Sequence, residues 1–388
     1  MAHLTYFGVE NFKRFEKFEM ENIGQFNLMW GDNNVGKTSV LEALLFHPEP
    51  QTFRERFNKA LIQFHAFDHF AKPYWWYFMN KNERLKDNAT TKFILCERFP
   101  IEIGDNDIVI DEIIEKSEHI LTCNFKLSNL VWKATFTPQM LLDGKLQDRS
   151  DEDSHKLNKI ISDNIYFIRD VLSKSKDADV IQNMGIPFIP FFLGYDHNLT
   201  KLFNLHFRDS KVLKKRVLED MSKMIPGIED IFSVHDETDT GYEMLKIFQK
   251  DSDIAMPLGT FGDGAIKLFR ILVEIIVHKG ERLMIDEIDS GVHVSRFHDF
   301  LRAILLAAKE HNVQLFATTH NYECLKFFKE VLEEEEMQSL QANARGIKLI
   351  TTPSGETKAL TYTFEQFQYS FETNNDPRAV LRFAEDAR

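Results

Sequence analysis

The sequence predicts an α/β fold, and three observations carry that expectation. A short apolar run at 26–30 leads through a glycine-rich loop into 40–46, which has helical spacing. Between residues 92 and 137 lie four segments enriched in β-type residues, at 92–98, 108–110, 119–126 and 131–137. From 156 to about 224 the pattern is mainly helical, interrupted by the apolar piece at 185–192.

The composition narrows what the chain does. Its 388 residues, 43% of them hydrophobic, hold one large domain or two modest ones with a sizeable core. The 35 phenylalanines sit mostly within periodic segments and read as core packing. A net charge of −13 excludes general affinity for nucleic acid and leaves only a local patch, Lys211, Lys214, Lys215 and Arg216, for which a solvated helix face is the simpler account. Cys96, Cys123 and Cys324 are far apart and lack metal-ligand spacing, so they read as reduced thiols of a cytoplasmic protein. No secretory signal opens the chain. The apolar stretches are interrupted by Glu274 or broken by Pro187 and Pro190, so none is expected to span a membrane.

In chain order, 4–9 and 26–30 read as strands with a charged turn, Asn11-Phe12-Lys13-Arg14-Phe15, between them. The aromatic stretch 53–81 has no clear period, and its Phe, Trp and His residues suggest packing or a partner surface. The β-type segments fit an antiparallel sheet beside the glycine loop, ended by the polar residues 143–154. Pro226-Gly227 closes the helical part, and short strands are expected at 231–235, 242–249 and 254–257. These shifts divide the chain into an N-terminal lobe at 1–140, a helical lobe at 141–230 and a C-terminal lobe at 231–388.

The loop reads Gly31-Asp32-Asn33-Asn34-Val35-Gly36-Lys37-Thr38-Ser39, filling G-x-x-x-x-G-K-[ST] between strand and helix. Gly31 and Gly36 allow the loop to curl so that its N–H groups face phosphate oxygens, where a side chain would collide. Lys37 reaches the β- and γ-phosphates as a point charge, the Thr38 hydroxyl is a Mg²⁺ ligand, and the helix turns its positive end toward the anion. The motif predicts binding of a nucleoside triphosphate.

Four features follow in the C-terminal half. Leu258-Gly259-Thr260-Phe261-Gly262-Asp263-Gly264 is a glycine-rich turn opening an amphipathic helix, and it offers a second anion site or an ordinary helix start. The apolar strand 282–285 ends in Asp286-Glu287. Asp286 suits Mg²⁺, directly or through water, and Glu287 suits accepting a proton from the attacking water or orienting it. Ile288-Asp289-Ser290-Gly291 forms a tight loop, in which Asp289 either contacts a second subunit or sits in a plain turn. The strand 313–319 ends at His320, whose imidazole can hydrogen-bond the γ-phosphate or the attacking water.

This order of motifs resembles the ABC-class ATPases of the SMC, RecF and OLD (overcoming lysogenization defect) group, most of all the compact bacterial OLD-like AAA ATPases. The opening Asn11-Phe12-Lys13-Arg14-Phe15 is similar to that group's N-F-K-x-F, and the likeness covers most of 1–50 and 255–325. It implies an ABC-type ATPase head with a mixed central sheet, an antiparallel β subdomain and a helical lobe. It further implies that Arg14 joins the ATP-binding residues and that Thr260, Gly262, Asp263 and Gly264 act as a signature in trans, with Thr260 standing where the group has Ser. Lys37, Glu287 and His320 are then the catalytic set, Thr38 and Asp286 hold the metal, and Asp289 faces the sister subunit. ATP is sandwiched between two copies, whose closing and opening make a conformational switch. Gln63 is one candidate for the group's Q-loop glutamine.

Full-length OLD nucleases carry a C-terminal TOPRIM domain with Glu and Asp-x-Asp ligands. Residues 321–388 contain no Asp-x-Asp, and Asp251-Ser252-Asp253 reads as a turn upstream of the signature. The expected partners are therefore a homodimer or higher oligomer and a separately encoded effector, a nuclease or toxin, in bacterial anti-phage defence. The alternative is a RecF-like ATPase that clamps DNA directly in repair or maintenance.

Overall fold

A computed structural model gives the structure and describes residues 3–45, 56, 91–98, 109–110, 122–126, 131–136, 186–235, 243–250, 252–373 and 377–378. The aromatic stretch 53–81 apart from Arg56, Gln63, the polar residues 143–154, the helical pattern at 156–185 and Asp251 lie outside the described residues.

Among the described residues, two six-stranded sheets organise the structure. The first is antiparallel throughout, in the order β2 (Phe15–Met20), β1 (His3–Phe12), β4 (Thr91–Arg98), β7 (Val131–Phe136), β6 (Thr122–Lys126) and β5 (Val109–Ile110). Its last four strands lie in the β-enriched segments of the sequence. The second runs β15 (Thr357–Thr363), β14 (Ala344–Thr351), β3 (Phe26–Gly31), β13 (Gln314–Thr318), β12 (Arg282–Ile285) and β8 (Phe188–Ile189). Five of these strands are parallel and β15 is antiparallel, so the central sheet is mixed. A small antiparallel sheet is made of β9 (Ile228–His235), β10 (Glu243–Gln249) and β11 (Met256–Pro257).

The central strands are buried on both faces, which is why they read as unbroken apolar runs rather than alternating ones. Phe26, Leu28 and Trp30 of β3, Leu283 and Ile285 of β12 and Leu315 and Ala317 of β13 face a helical layer. That layer contains α2 (His197–His206), α3 (Lys211–Met221), α4 (Asp263–Val277), α5 (Phe297–Glu310) and α6 (Tyr322–Glu333). Met29, Met284 and Phe316 point the other way, into a core shared with Phe7, Phe12, Phe15 and Phe18 of the antiparallel sheet and with α1 (Lys37–Ala43). Each such fully buried side chain contributes roughly 1.5–3 kcal/mol. Trp30 of β3 packs under the β15 side of the sheet. It stacks on Tyr362 and packs against Phe367 of α7 (Phe364–Glu372), with ring centroids at 6.0 and 5.5 Å.

Two buried amides join the layers. Gln314, with no exposed surface, accepts from the Leu4 amide at 2.9 Å and donates to the carbonyls of Leu4 and Gly24 at 2.8 and 2.7 Å. Asn27 donates to the Leu315 and Gly24 carbonyls and accepts from the Gly24 amide, each at 2.9 Å. A Gln314→Leu substitution keeps the volume but strands the Leu4 amide and its neighbours without partners, an expected loss of about 2 kcal/mol. Thermal unfolding followed by circular dichroism should show a midpoint several degrees lower, and an unchanged midpoint would show that this tie is dispensable.

Candidate functional site

Strands β3, β13 and β12 are parallel neighbours, with Thr318 opposite Met29 and Ala317 opposite Ile285. Their carboxyl ends therefore finish together, and in open parallel sheets this edge is where ligands bind. From β3 comes the glycine loop, from β12 the pair Asp286-Glu287, and from β13 the run Thr318-Thr319-His320.

The loop has the backbone its motif demands. At Gly31 a Cβ would meet the Leu349 carbonyl oxygen at 2.4 Å, an approach only glycine permits. Gly36 has φ +105°, and a Cβ there would meet Arg14 Cδ at 2.8 Å and the Phe15 ring at 2.9 Å. The turn between β1 and β2 thus lies against the loop, and Lys13 of that turn pairs with the buried Glu42 of α1. Arg14 is exposed with its stem beside Gly36, while Asn34 adopts a left-handed φ of 63°, which asparagine tolerates. Asp32 and Asn33 are exposed, Val35 is buried in the core, Gly36 caps α1, and Ser39 is partly covered.

The Lys37 ammonium folds back over the loop, donating to the carbonyls of Gly31 at 2.8 Å and Asp32 at 3.1 Å. Burial pushes its pKa below the ordinary lysine value, while Asp286, Glu287 and Asp32 pull it upward. Thr38 Oγ1 donates to Asp286 Oδ2 at 2.8 Å, and the other carboxylate oxygen of Asp286 accepts from Thr318 Oγ1 at 2.6 Å. Thr318 Oγ1 in turn accepts from the Glu287 amide at 2.8 Å. One hydroxyl of β13 therefore holds the Asp286 carboxylate and the Glu287 backbone amide, just after β12.

Glu287 has φ 45°, a left-handed conformation that is strained for a side chain of this size. His320 Nδ1 lies 3.7 Å from Glu287 Oε1, and both side chains reach solvent. The structure thus brings Lys37, Thr38, Asp286, Glu287 and His320 together.

Residues 260–264 stand apart from this cluster. Thr260 and Phe261 belong to a 3₁₀ turn, Thr260 donates to the Pro257 carbonyl at 2.8 Å, and Gly262 has φ +88° with open space around a Cβ. Asp263 and Gly264 start α4 against the Asp289 loop, where a Cβ on Gly291 would meet Asp263 Cβ at 3.0 Å and one on Gly264 would meet the Gly291 carbonyl at 3.3 Å. Among the described residues, no hydrogen bond joins 260–264 to the glycine loop of the same chain. Asp289 is buried, and its Oδ1 has no hydrogen-bond partner among the described residues.

Sequence reasoning missed Thr318 and Lys267. Lys267 is buried on α4 and donates to Ser290 Oγ at 3.1 Å and to the Glu287 carbonyl at 3.4 Å. Its signal was a row of charges, Lys267, Arg270, Glu274 and His278, spaced along one stripe of a helix that is otherwise apolar. All four are buried. Arg270 pairs with Asp196 and Glu274, and His278 lies 3.4 Å from both Glu274 and Glu281.

Three of the four basic side chains at 211–216 lie beside acids of this chain. Lys214 pairs with Asp230 at 2.6 Å, and Lys215 lies 3.7 Å from Glu219. Arg216 lies against Glu219, Asp220 and Glu310. Among the described residues no helix is long and apolar enough to cross a membrane.

The chain is similar to several known proteins. The chain is 23% identical to an "ATP/GTP phosphatase" of Helicobacter pylori, across 95% of this chain and 98% of that protein. It is 39% identical over 66 residues to the "DNA replication and repair protein RecF" of Xanthomonas oryzae, a match covering 17% of this chain and 18% of that one. Among solved structures, an SMC head bound to the C-terminal winged-helix domain of ScpA aligns with a TM-score of 0.49 and 12% identity, covering 95% of this chain and all of that one. The SMC head domain from Thermotoga maritima aligns at 0.41 and 12%, covering 93% and 99%. Residues 98–326, more than half of the chain, match the family described as "AAA domain, putative AbiEii toxin, Type IV TA system". The chain belongs to this AAA domain family and is an ATPase.

Proposed function

We propose that the chain is one half of an ATP-driven switch: two copies close over ATP, hydrolysis reopens them, and the movement acts on a separately encoded effector. The observation that carries the catalytic part is the meeting of Lys37, Thr38, Asp286, Glu287 and His320 at the ends of three neighbouring strands. In this reading the N–H groups of the loop 31–39 cradle the phosphates, and Lys37 pairs with the β- and γ-phosphates. Arg14 flanks the loop from the β1–β2 turn.

Thr38 Oγ1 and the Asp286 carboxylate, 2.8 Å apart, are hard oxygen donors that suit Mg²⁺, an ion that takes few protein ligands and completes its shell with water and phosphate. When bound, the metal neutralises phosphate charge. Glu287 orients the attacking water and accepts its proton, and His320, at the neighbouring strand end, hydrogen-bonds the γ-phosphate or that water.

The two-copy arrangement is supported by residues 260–264. Thr260, Gly262 and Asp263 are exposed, and α4 starts there without a side-chain cap, so its first N–H groups remain available to an anion held by a sister molecule. Gly264 and the Asp289 loop would flank the same contact. The effector is a nuclease or toxin in a bacterial anti-phage system on this reading, with the cytoplasm as its place of action. Direct clamping of DNA ranks second, since Lys214, Lys215 and Arg216 of α3 lie beside acids of this chain.

A mixing experiment tests the shared site. Lys37→Ala and a Thr260→Ala/Gly262→Val double variant should each be inactive alone. Mixed in equal amounts they should recover roughly a quarter of wild-type ATPase, because half of the dimers then hold one intact site of two. No recovery from a mixture of two folded variants would rule out the shared site. Purification of the tagged chain from its native operon should bring down a second polypeptide.

A further inference from the structure

Lys267 occupies the fifth position of α4, the helix that opens at the exposed 260–264 turn, yet its ammonium lies inside the protein under the loop that carries Glu287. It donates to Ser290 Oγ at 3.1 Å and to the Glu287 carbonyl at 3.4 Å. The loop's own bonds run between the same residues. The Ser290 amide donates to the Glu287 carbonyl at 2.9 Å and the Val292 amide to the Asp289 carbonyl at 3.1 Å, while Ile288 is held by the Thr318 carbonyl at 2.9 Å.

Three acidic side chains stand within four consecutive residues here, Asp286, Glu287 and Asp289. All three act on Lys267 electrostatically. Burial drives its pKa down to about 8, against their upward pull, so the amine is still charged at neutral pH. A cation at this point offsets the mutual repulsion of the carboxylates and clamps a backbone that Glu287 holds at a φ of 45°.

We infer that Lys267 is a positioning residue for hydrolysis: its ammonium holds the 286–290 loop in the conformation that aims Glu287, and it ties that loop to the helix displaying the 260–264 turn. The inference rests on the ATPase reading of Glu287 above. Movement of α4 when a second copy engages residues 260–264 is then transmitted directly to the carbonyl of the hydrolytic residue. Lys267 itself touches neither nucleotide nor water in this scheme.

The test uses the full chain in four forms, wild type, Lys267→Met, Lys267→Arg and Glu287→Gln, with Mg·ATP binding measured by titration and turnover by phosphate release. Lys267→Met keeps the aliphatic stem and removes the charge. Its Kd for ATP should stay within about threefold of wild type while kcat falls by roughly tenfold or more, and Lys267→Arg should recover a good part of that loss.

Ser290→Ala, which removes one acceptor, supplies a milder probe should Lys267→Met fail to fold. It should lower kcat about threefold without changing Kd. Wild-type turnover in Lys267→Met, or in Ser290→Ala where the former is insoluble, overturns the inference. Joint loss of binding and turnover in a folded Lys267→Met overturns it as well, since that marks a merely structural residue. If wild type itself releases no phosphate, or Glu287→Gln turns over normally, the ATPase reading fails instead, and the two failures are distinguishable.

Discussion

Lys37→Ala is expected to abolish nucleotide binding while leaving the fold intact. The ammonium sits half-buried at the mouth of the loop, bonded among the described residues only to the carbonyls of Gly31 and Asp32, at 2.8 and 3.1 Å. These are weak holds that a phosphate group readily replaces. Asp286, Glu287 and Asp32 surround it, so without this cation the site is a cluster of negative charge facing a polyanion.

Two charge-assisted hydrogen bonds to phosphate contribute about 1.5–3 kcal/mol each, so the affinity should fall on the order of 100-fold or more. Calorimetric titration with Mg·ATP reads this directly. The melting temperature should barely move, since Lys37 is not part of either core and alanine is the best helix former at the start of α1. Retained affinity in a folded variant would show that the triphosphate sits elsewhere.

How much of this was legible beforehand depends on sequence distance. The loop 31–39 could be read because its chemistry is local: glycine spacing, a lysine and a hydroxyl, between a strand and a helix, all within about three turns of chain. Asp286-Glu287 and His320 could be read as strand ends for the same reason. The neighbours of those strands could not. β3 lies between β13 and β14, roughly 290 and 320 residues away, and nothing in residues 26–31 states that order.

Thr318 was hidden by its company. In an apolar run a threonine looks like a β-branched filler, and only the register that sets it beside Asp286 turns its hydroxyl into the link between the two acids. Lys267 was hidden by the apolar moment of its helix, which averages over single charges. The basic run at 211–216 misleads in the opposite direction, because composition counts its cations and not the acids of other elements that pair with them.

Glu287→Gln should separate binding from turnover more sharply than any other change. Gln keeps the length of the side chain, and the backbone contacts that define the position remain: the amide still donates to Thr318 Oγ1, and the carbonyl still accepts from Lys267 and from the Ser290 amide. What disappears is a carboxylate able to accept a proton, 3.7 Å from an imidazole at the neighbouring strand end.

General-base catalysis contributes about 10²–10⁴-fold, so phosphate release should drop by at least two orders of magnitude while the Kd for Mg·ATP stays near wild type. In a two-copy site the consequence goes further. ATP that is bound and not hydrolysed keeps the pair closed, so light scattering should show the variant shifting to a dimer with ATP and returning to monomer once ATP is removed. His320→Ala should slow turnover less, because it removes a hydrogen-bonding partner and leaves the base in place. A Glu287→Gln protein that hydrolyses ATP at the wild-type rate would instead mean that the strained φ of 45° serves the Asp286–Asp289 turn alone. The proton acceptor would then have to be sought among the other groups at the strand ends.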